Sequence, residues 1–107
     1  MDSTLLVLGE VAAERRRQES KFPAQELPDG TGAPAMRLYA DIARQTCEDS
    51  AVDGSLTWWD VLHEEWAEAG AELALEGLRA DLIQVAAVSV RWVESIDRRI
   101  AARKAAA

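Results

Sequence analysis

The apolar residues in the second half of the chain recur every three or four positions, which is the period of an α-helix and not of a β-strand. They form two series: Trp58, Leu62, Trp66, Ala69 and Leu73, then Leu78, Leu82, Val85, Trp92 and Ile96. Ser55 or Thr57 is a suitable N-cap for the first helix, and Glu76-Gly77 is a suitable stop because glycine readily adopts the left-handed conformation that ends helices. The pattern predicts a long antiparallel hairpin of helices over about 57–75 and 78–103, followed by a frayed tail over about 104–107.

The first half of the chain predicts two shorter helices. Residues 4–20 carry an apolar stripe of Leu5, Leu8 and Ala12, and residues 35–48 carry one of Met36, Tyr39, Ala43 and Cys47. Prolines and glycines over about 21–34 mark a loop between them. We therefore predict an all-α fold of four helices in a single domain over 1–107.

The fourth predicted helix is apolar on more than one side. Ile83, Ala86 and Val90 lie away from its main stripe. A helix with two apolar faces is typical of one that is covered by a partner subunit as well as by its own domain, so we expect an oligomer.

Composition and charge exclude several classes of function. The 19 acidic residues outnumber the 12 basic ones, for a net charge of −7, and such a surface repels the phosphate backbone of a nucleic acid. A nucleotide ligand stays possible, because a bound divalent cation reverses the local field. Cys47 is the single cysteine, and no apolar run approaches transmembrane length, so we expect a cytoplasmic protein without a disulfide and without a membrane partner.

Acidic side chains are expected to collect at the edge of the hairpin. A helix advances about 100° per residue, which puts Glu65 and Glu72 at the margin of the buried face and Glu68 further round. Asp81 takes the same marginal place on the next helix, with Gln84 one turn later. If the turn lies near residue 75, Glu68 faces Asp81 and Glu65 faces Gln84. Four oxygen-bearing side chains at the same height along the hairpin would suit Mg²⁺. A solvated acidic face is the ordinary alternative.

At these residues the chain resembles the all-α nucleoside triphosphate pyrophosphohydrolases of the MazG-like superfamily. Their motif is Glu-x-x-Glu, a spacer, then Glu-x-x-Asp; Glu65 to Glu68 matches its first half, and Asp81 to Gln84 stands in place of the second. The flanks, 58–72 and 78–99, are similar to a branch found in actinobacteria and their phages. That branch often carries a Lys-Trp-Gly-x-Gln loop that ends in Pro-Asp-Gly-Thr-Gly, which 21–25 and 28–32 match in part.

The resemblance implies a four-helix MazG-like arrangement and a homodimer or homotetramer. It also implies Mg²⁺-dependent hydrolysis, with Mn²⁺ as a substitute, of an NTP or dNTP to the monophosphate and pyrophosphate. Glu65, Glu68 and Asp81 are then the catalytic metal ligands, with Gln84 as a neutral fourth ligand and Glu72 or Glu64 assisting. Asp81 is one methylene shorter than the family's glutamate, and Gln84 lacks the charge of the family's aspartate.

Several other residues are candidates for substrate contacts. Lys21, Arg91 and Arg99 carry charges suited to phosphate, and Trp59 offers a ring on which a base can stack, with plain surface positions as the alternative. His63 has no histidine or cysteine at ligand spacing and is expected to be incidental.

Two other functions stay open at this point. A neutral Gln84 is compatible with a protein that binds a nucleotide without cleaving it. The third possibility is a helical interaction protein in which the acids are only solvated surface.

Overall fold

The residues that the structure describes form four α-helices. A computed structural model describes residues 2–23 and 25–107, and within these ranges it contains no β-strand. The helices are α1 (Ser3–Lys21), α2 (Pro34–Asp53), α3 (Trp58–Ala71) and α4 (Leu75–Ala106). The predicted all-α class is confirmed. None of the helices in the described ranges combines the length and apolar character needed to cross a membrane.

Local sequence accounts for most helix ends. Pro34 opens α2, where its fixed φ suits the first helical turn and no backbone donor is needed. The helix runs five residues beyond the predicted end at 48, because no residue that breaks a helix occurs before Gly54, which has φ +82°. At the other end of the chain, α4 continues through the alanines to Ala106, three residues past the predicted end, since alanine has the highest helix propensity.

A capping box fixes the start of α3. The Thr57 hydroxyl accepts a hydrogen bond from the Asp60 backbone N–H at 3.1 Å, and the Asp60 carboxylate accepts one from the Thr57 N–H at 3.1 Å. Ser55, the other predicted cap, donates its N–H to Asp53 instead. Two backbone donors at the helix start are therefore satisfied reciprocally.

The turn between α3 and α4 lies earlier than predicted. It comprises Glu72, Leu73 and Ala74, so α3 ends four residues before the predicted boundary, and Gly77 is not its stop. Gly77 lies in the first turn of α4, and a Cβ at this position would overlap the Glu72 carboxylate. The glycine thus makes room for an acid beside a helix N-terminus, where the macrodipole favours negative charge.

The chain divides into two compact units that share α4. The first contains Met1–Pro28 and Val90–Ala107, and the second contains Asp29–Ser89. In the first unit, Val7 and Val90 are buried, and the Ser3 and Thr4 hydroxyls donate to the Glu94 carboxylate. The predicted apolar stripe of α1 is wrong in phase, because Leu5 and Leu8 are exposed and Val7 takes the inner position.

Alanine forms the core of the second unit. Ala40 and Ala43 of α2 pack with Ala67 and Ala71 of α3, and Met36 lies partly buried against them. Small side chains let two helices approach closely, and this decides which face of α3 is inside. The predicted stripe of α3 is therefore wrong in part, since Trp66 is 54% exposed and Leu73, in the turn, is 89% exposed.

Gly32 anchors the loop before α2 to the end of α3. Its N–H donates to the Gly70 carbonyl at 3.0 Å, which satisfies one of the free carbonyls at a helix C-terminus. Gly32 has φ +88°, and an added Cβ would lie 3.2 Å from the Glu72 carbonyl oxygen. Both observations make this position specific for glycine.

We expect Gly32→Ala to lower the free energy of unfolding by about 2–3 kcal/mol, through the left-handed φ and the contact with backbone. Gly30→Ala is the matched control, because Gly30 has φ +73° but open space around it, and its cost should be about 1 kcal/mol. Urea denaturation measures both. Equal costs for the two variants would show that the Gly32 contact contributes nothing.

Candidate functional site

Glu65 is the centre of an acidic group on α3 and α4 of the second unit. Burial raises the pKa of its carboxyl, and the nearby carboxylates of Glu64, Asp81 and Glu68 raise it further, in that order. Asp81, whose predicted partner was Glu68, is one of the carboxylates that act on Glu65. The role of these acids as metal ligands stays a prediction.

Glu68 is held by a cation from α2. Arg37 Nη2 donates to both carboxylate oxygens of Glu68, at 3.1 and 3.2 Å, and also lies 3.2 Å from Asp41. Arg44 pairs with Asp41 at 3.4 Å and extends the network. The Glu68 contact is the main reason that the pKa of Arg37 is raised. Arg37 could not be singled out from the sequence, because its partner lies 31 residues away and is reached only when α2 packs on α3.

Two predicted ligands lie outside this group. Glu72 is in the turn, and its carboxylate contacts Gly77. Gln84 is exposed on α4. Neither is placed beside Glu65 by any contact that the structure records.

Cys47 is buried beside the acids, on α2. Burial, followed by the contact with Glu64, raises the pKa of its thiol to about 11. A thiol that stays protonated at neutral pH is a poor nucleophile. The core-facing position predicted for Cys47 is confirmed.

The carboxylate oxygens of this group are of the type that a hard divalent cation binds. The side chains are not positioned as a complete set of metal ligands. In the described part of the chain, no three His, Cys, Asp or Glu side chains lie close enough together to hold a metal ion. Burial and, after it, the neighbouring carboxylates raise the pKa of Glu65, and positive charge beside such acids offsets their repulsion. Arg37 supplies this charge to Glu68.

The basic candidates lie in the first unit. The Lys21 ammonium is 5.5 Å from the centre of the Phe22 ring, and Arg99 Nε donates to the Ser95 carbonyl at 3.3 Å. Arg91 is exposed on α4. The acids belong to the second unit.

Trp59 belongs to a cavity that the sequence did not predict, which we call the aromatic pocket. It has a volume of about 420 Å³ and is lined by Tyr39, Trp59, Leu62, His63, Trp66, Val85 and Ser89. The four α3 residues in its wall form one stripe, and Glu65 and Glu68 lie roughly 110° and 170° around the helix axis from its centre. Trp59 and the acids therefore point to different sides of α3.

His63, which the sequence did not single out, lines this pocket. Its Nε2 is hydrogen bonded to the Tyr39 hydroxyl. The spacing of Trp59, His63 and Trp66 was the available signal, because positions three and four apart share one helix face.

No family model, curated protein or solved structure matches this chain. Its function is therefore inferred from the residues of the second unit and their geometry.

Proposed function

We propose that the protein is a Mg²⁺-dependent nucleoside triphosphate pyrophosphohydrolase of the MazG-like type, which converts an NTP or dNTP to the monophosphate and pyrophosphate. The supporting observation is the acidic group around Glu65, where burial and then the carboxylates of Glu64, Asp81 and Glu68 raise the pKa of the Glu65 carboxyl. Carboxylates kept close together at a partly buried site are costly without a cation. They are also the ligands that Mg²⁺ prefers.

Glu65, Glu68 and Asp81 would hold the ion, with the Gln84 amide oxygen as a neutral addition and Glu72 assisting after a change of rotamer. Mn²⁺ has similar ligand preferences. When bound, the ion would offset the charge of the phosphates and orient the water that attacks phosphorus. In the reaction, the water oxygen forms a bond to phosphorus, the α–β anhydride bond breaks, and pyrophosphate leaves. A carboxylate of this group accepts the proton of the water.

Arg37 is the residue that competes with a metal ion for Glu68. We expect Arg37→Gln to bind Mg²⁺ or Mn²⁺ about three- to tenfold more tightly than the wild type, because Glu68 no longer has a guanidinium partner. Isothermal titration calorimetry of the metal alone measures this. Arg44→Gln removes the same charge from the same helix but pairs with Asp41 and not with Glu68, so it is the matched control. Equal affinities in the two variants would contradict a specific role for Arg37.

The proposed activity is tested by pyrophosphate release from nucleoside triphosphates with Mg²⁺, in the wild type and in Glu68→Ala. Release that is lost in Glu68→Ala supports the proposal. Metal-assisted nucleotide binding with no pyrophosphate released favours the nucleotide-binding alternative, for which the neutral Gln84 is the reason. Thermal stability separates both from an inert helical protein, since a ligand that binds the native state raises the melting temperature.

Self-association as a homodimer or homotetramer is part of the proposal. Large apolar side chains are exposed in both units, among them Leu5 and Leu6 in the first and Leu38, Ile42 and Trp66 in the second. Exposed apolar residues in such numbers are typical of surfaces that a partner covers. The same observation favours a helical interaction protein as the second candidate, and sedimentation velocity over a range of concentrations separates self-association from a monomer.

A further inference from the structure

The aromatic pocket presents ring faces and no fixed positive charge. The Tyr39 ring lies at 65° to His63 and at 85° to Trp66, with centroids 5.3 and 6.2 Å apart. A ligand beside rings at such angles meets faces as well as edges, and the face is the negative part of an aromatic ring. Trp66 is 54% and Tyr39 is 40% exposed, so both rings can be reached from solvent. The seven lining residues include no lysine or arginine, so the walls attract a cation without a competing fixed charge of the same sign.

A carboxylate lies beside the wall of this pocket. A second cavity, of about 120 Å³, shares Tyr39 and His63 with the aromatic pocket and is also lined by Asp60. The Asp60 carboxylate is fixed there by the hydrogen bond that it accepts from the Thr57 N–H. It adds a Coulomb attraction for a positive ligand next to the two shared rings.

The charge of the second unit also favours a cation. Residues 29–89 contain twelve acidic and three basic residues, for a net charge of −9, whereas the first unit has a net charge of +2. Two of the three basic residues, Arg37 and Arg44, are themselves paired with acids. Such a field attracts cations to the unit and repels anions. It gives no advantage to an uncharged apolar group, so it separates these two kinds of ligand.

We propose that the aromatic pocket binds a small organic cation that carries a quaternary ammonium group. Aromatic walls are a usual means of holding such groups, whose charge is spread over methyl groups that also suit the apolar Leu62 and Val85. A metal ion would lose its hydration here without gaining oxygen ligands. The cavity of about 420 Å³ falls within the range of about 300–1,000 Å³ that is usual for small-molecule sites. The proposal does not depend on the proposed hydrolysis, because Glu65 and Glu68 lie on another side of α3.

Choline and 3,3-dimethyl-1-butanol form a matched pair of probes. The alcohol has the shape of choline, with a carbon atom in place of the positive nitrogen, so the two differ in charge alone. Titration of the full chain without divalent metal, followed on the methyl NMR signal of each probe, measures both affinities. We expect saturable binding of choline and at least about tenfold weaker binding of the alcohol, since the cation–π and Coulomb attractions act only on the charge.

Variants of the walls locate the site. Trp66→Leu should weaken choline binding at least about fivefold, whereas Trp66→Tyr keeps a ring face and should stay within about threefold of the wild type. Asp60→Asn should weaken choline about two- to threefold and leave the alcohol unchanged, because it removes only a charge. Circular dichroism checks that each variant is folded.

Three results would overturn the proposal. Equal affinities for choline and the alcohol would show a pocket that selects apolar surface and not charge. Choline binding that is unchanged in Trp66→Leu and lost in Glu68→Gln would assign the cation to the acidic group around Glu65. The absence of choline binding in the wild type would leave the pocket without the proposed ligand. Choline binding that is unchanged in Glu68→Gln and weakened in Trp66→Leu supports the proposal whether or not the protein releases pyrophosphate.

Discussion

Glu65→Gln is expected to make the metal-free protein more stable and to reduce pyrophosphate release by at least about a hundredfold. The turnover should fall because the change removes one negative charge from the proposed ion-binding group at nearly constant shape. Stability should rise because burial and the neighbouring carboxylates disfavour the ionised form of Glu65, as its raised pKa shows. A residue that costs stability and supports activity is typical of a functional site.

The stability gain of Glu65→Gln should depend on pH. The folded-state pKa of Glu65 lies above its ordinary value of 4.5, so the folded protein binds this proton more readily than the unfolded chain does. The penalty is absent below about pH 4.5, grows as the pH rises through the raised pKa, and is complete above it. The variant should therefore match the wild type in acid and exceed it at neutral pH, as thermal melts over a pH series would show.

Glu10→Gln is the control for this experiment. Glu10 is exposed on α1 in the first unit, so the same chemical change should alter neither turnover nor the pH dependence of stability. Full turnover in Glu65→Gln would contradict the assigned role of Glu65. A loss of stability at neutral pH would contradict the repulsion inferred among the acids.

Ala67→Leu is expected to lower the free energy of unfolding by about 3 kcal/mol and the melting temperature by about 10–20 °C. Ala67 has no exposed surface, and it packs with Ala40 and Ala43 where α2 meets α3. Three added carbons have no space there unless the helices move apart. Such a movement would also separate Arg37 from Glu68, so the metal affinity of the variant should rise as it does in Arg37→Gln.

Ala80→Leu is the matched control, because Ala80 is exposed on α4 and the same substitution adds the same atoms to a helix. Its unfolding free energy should change by no more than about 0.5 kcal/mol. Differential scanning calorimetry of the two variants measures both effects. Equal melting temperatures would show that close packing of α2 on α3 does not limit stability.

Local signals in the sequence predicted the helices well. Thr57 was one of two predicted caps of α3 and forms a capping box with Asp60, whereas Pro34 was assigned to the loop and is the first residue of α2. The turn after α3 was misplaced because Gly77, which usually indicates a helix stop, is used here to admit the Glu72 carboxylate. That use depends on a contact across the turn, which periodicity does not report.

The buried face of each helix was harder to predict than the helix itself. Tryptophan and alanine are both apolar, and the period alone does not say which of them packs against a neighbouring helix. In α3 the alanines are inside, since α2 approaches closely at Ala40 and Ala43, and Trp66 is left on the surface in the wall of the pocket. The acids on α3 and α4 could be singled out from their spacing in the sequence. Arg37 and the aromatic pocket could not, because they depend on how α2 packs on α3.

The most direct test of the proposed function is product analysis of the purified protein with a panel of NTPs and dNTPs in Mg²⁺. The proposal predicts pyrophosphate and nucleoside monophosphate in equal amounts from at least one substrate, and none from the same substrate in Glu68→Ala. Release of orthophosphate instead of pyrophosphate, or no turnover across the panel, would contradict it.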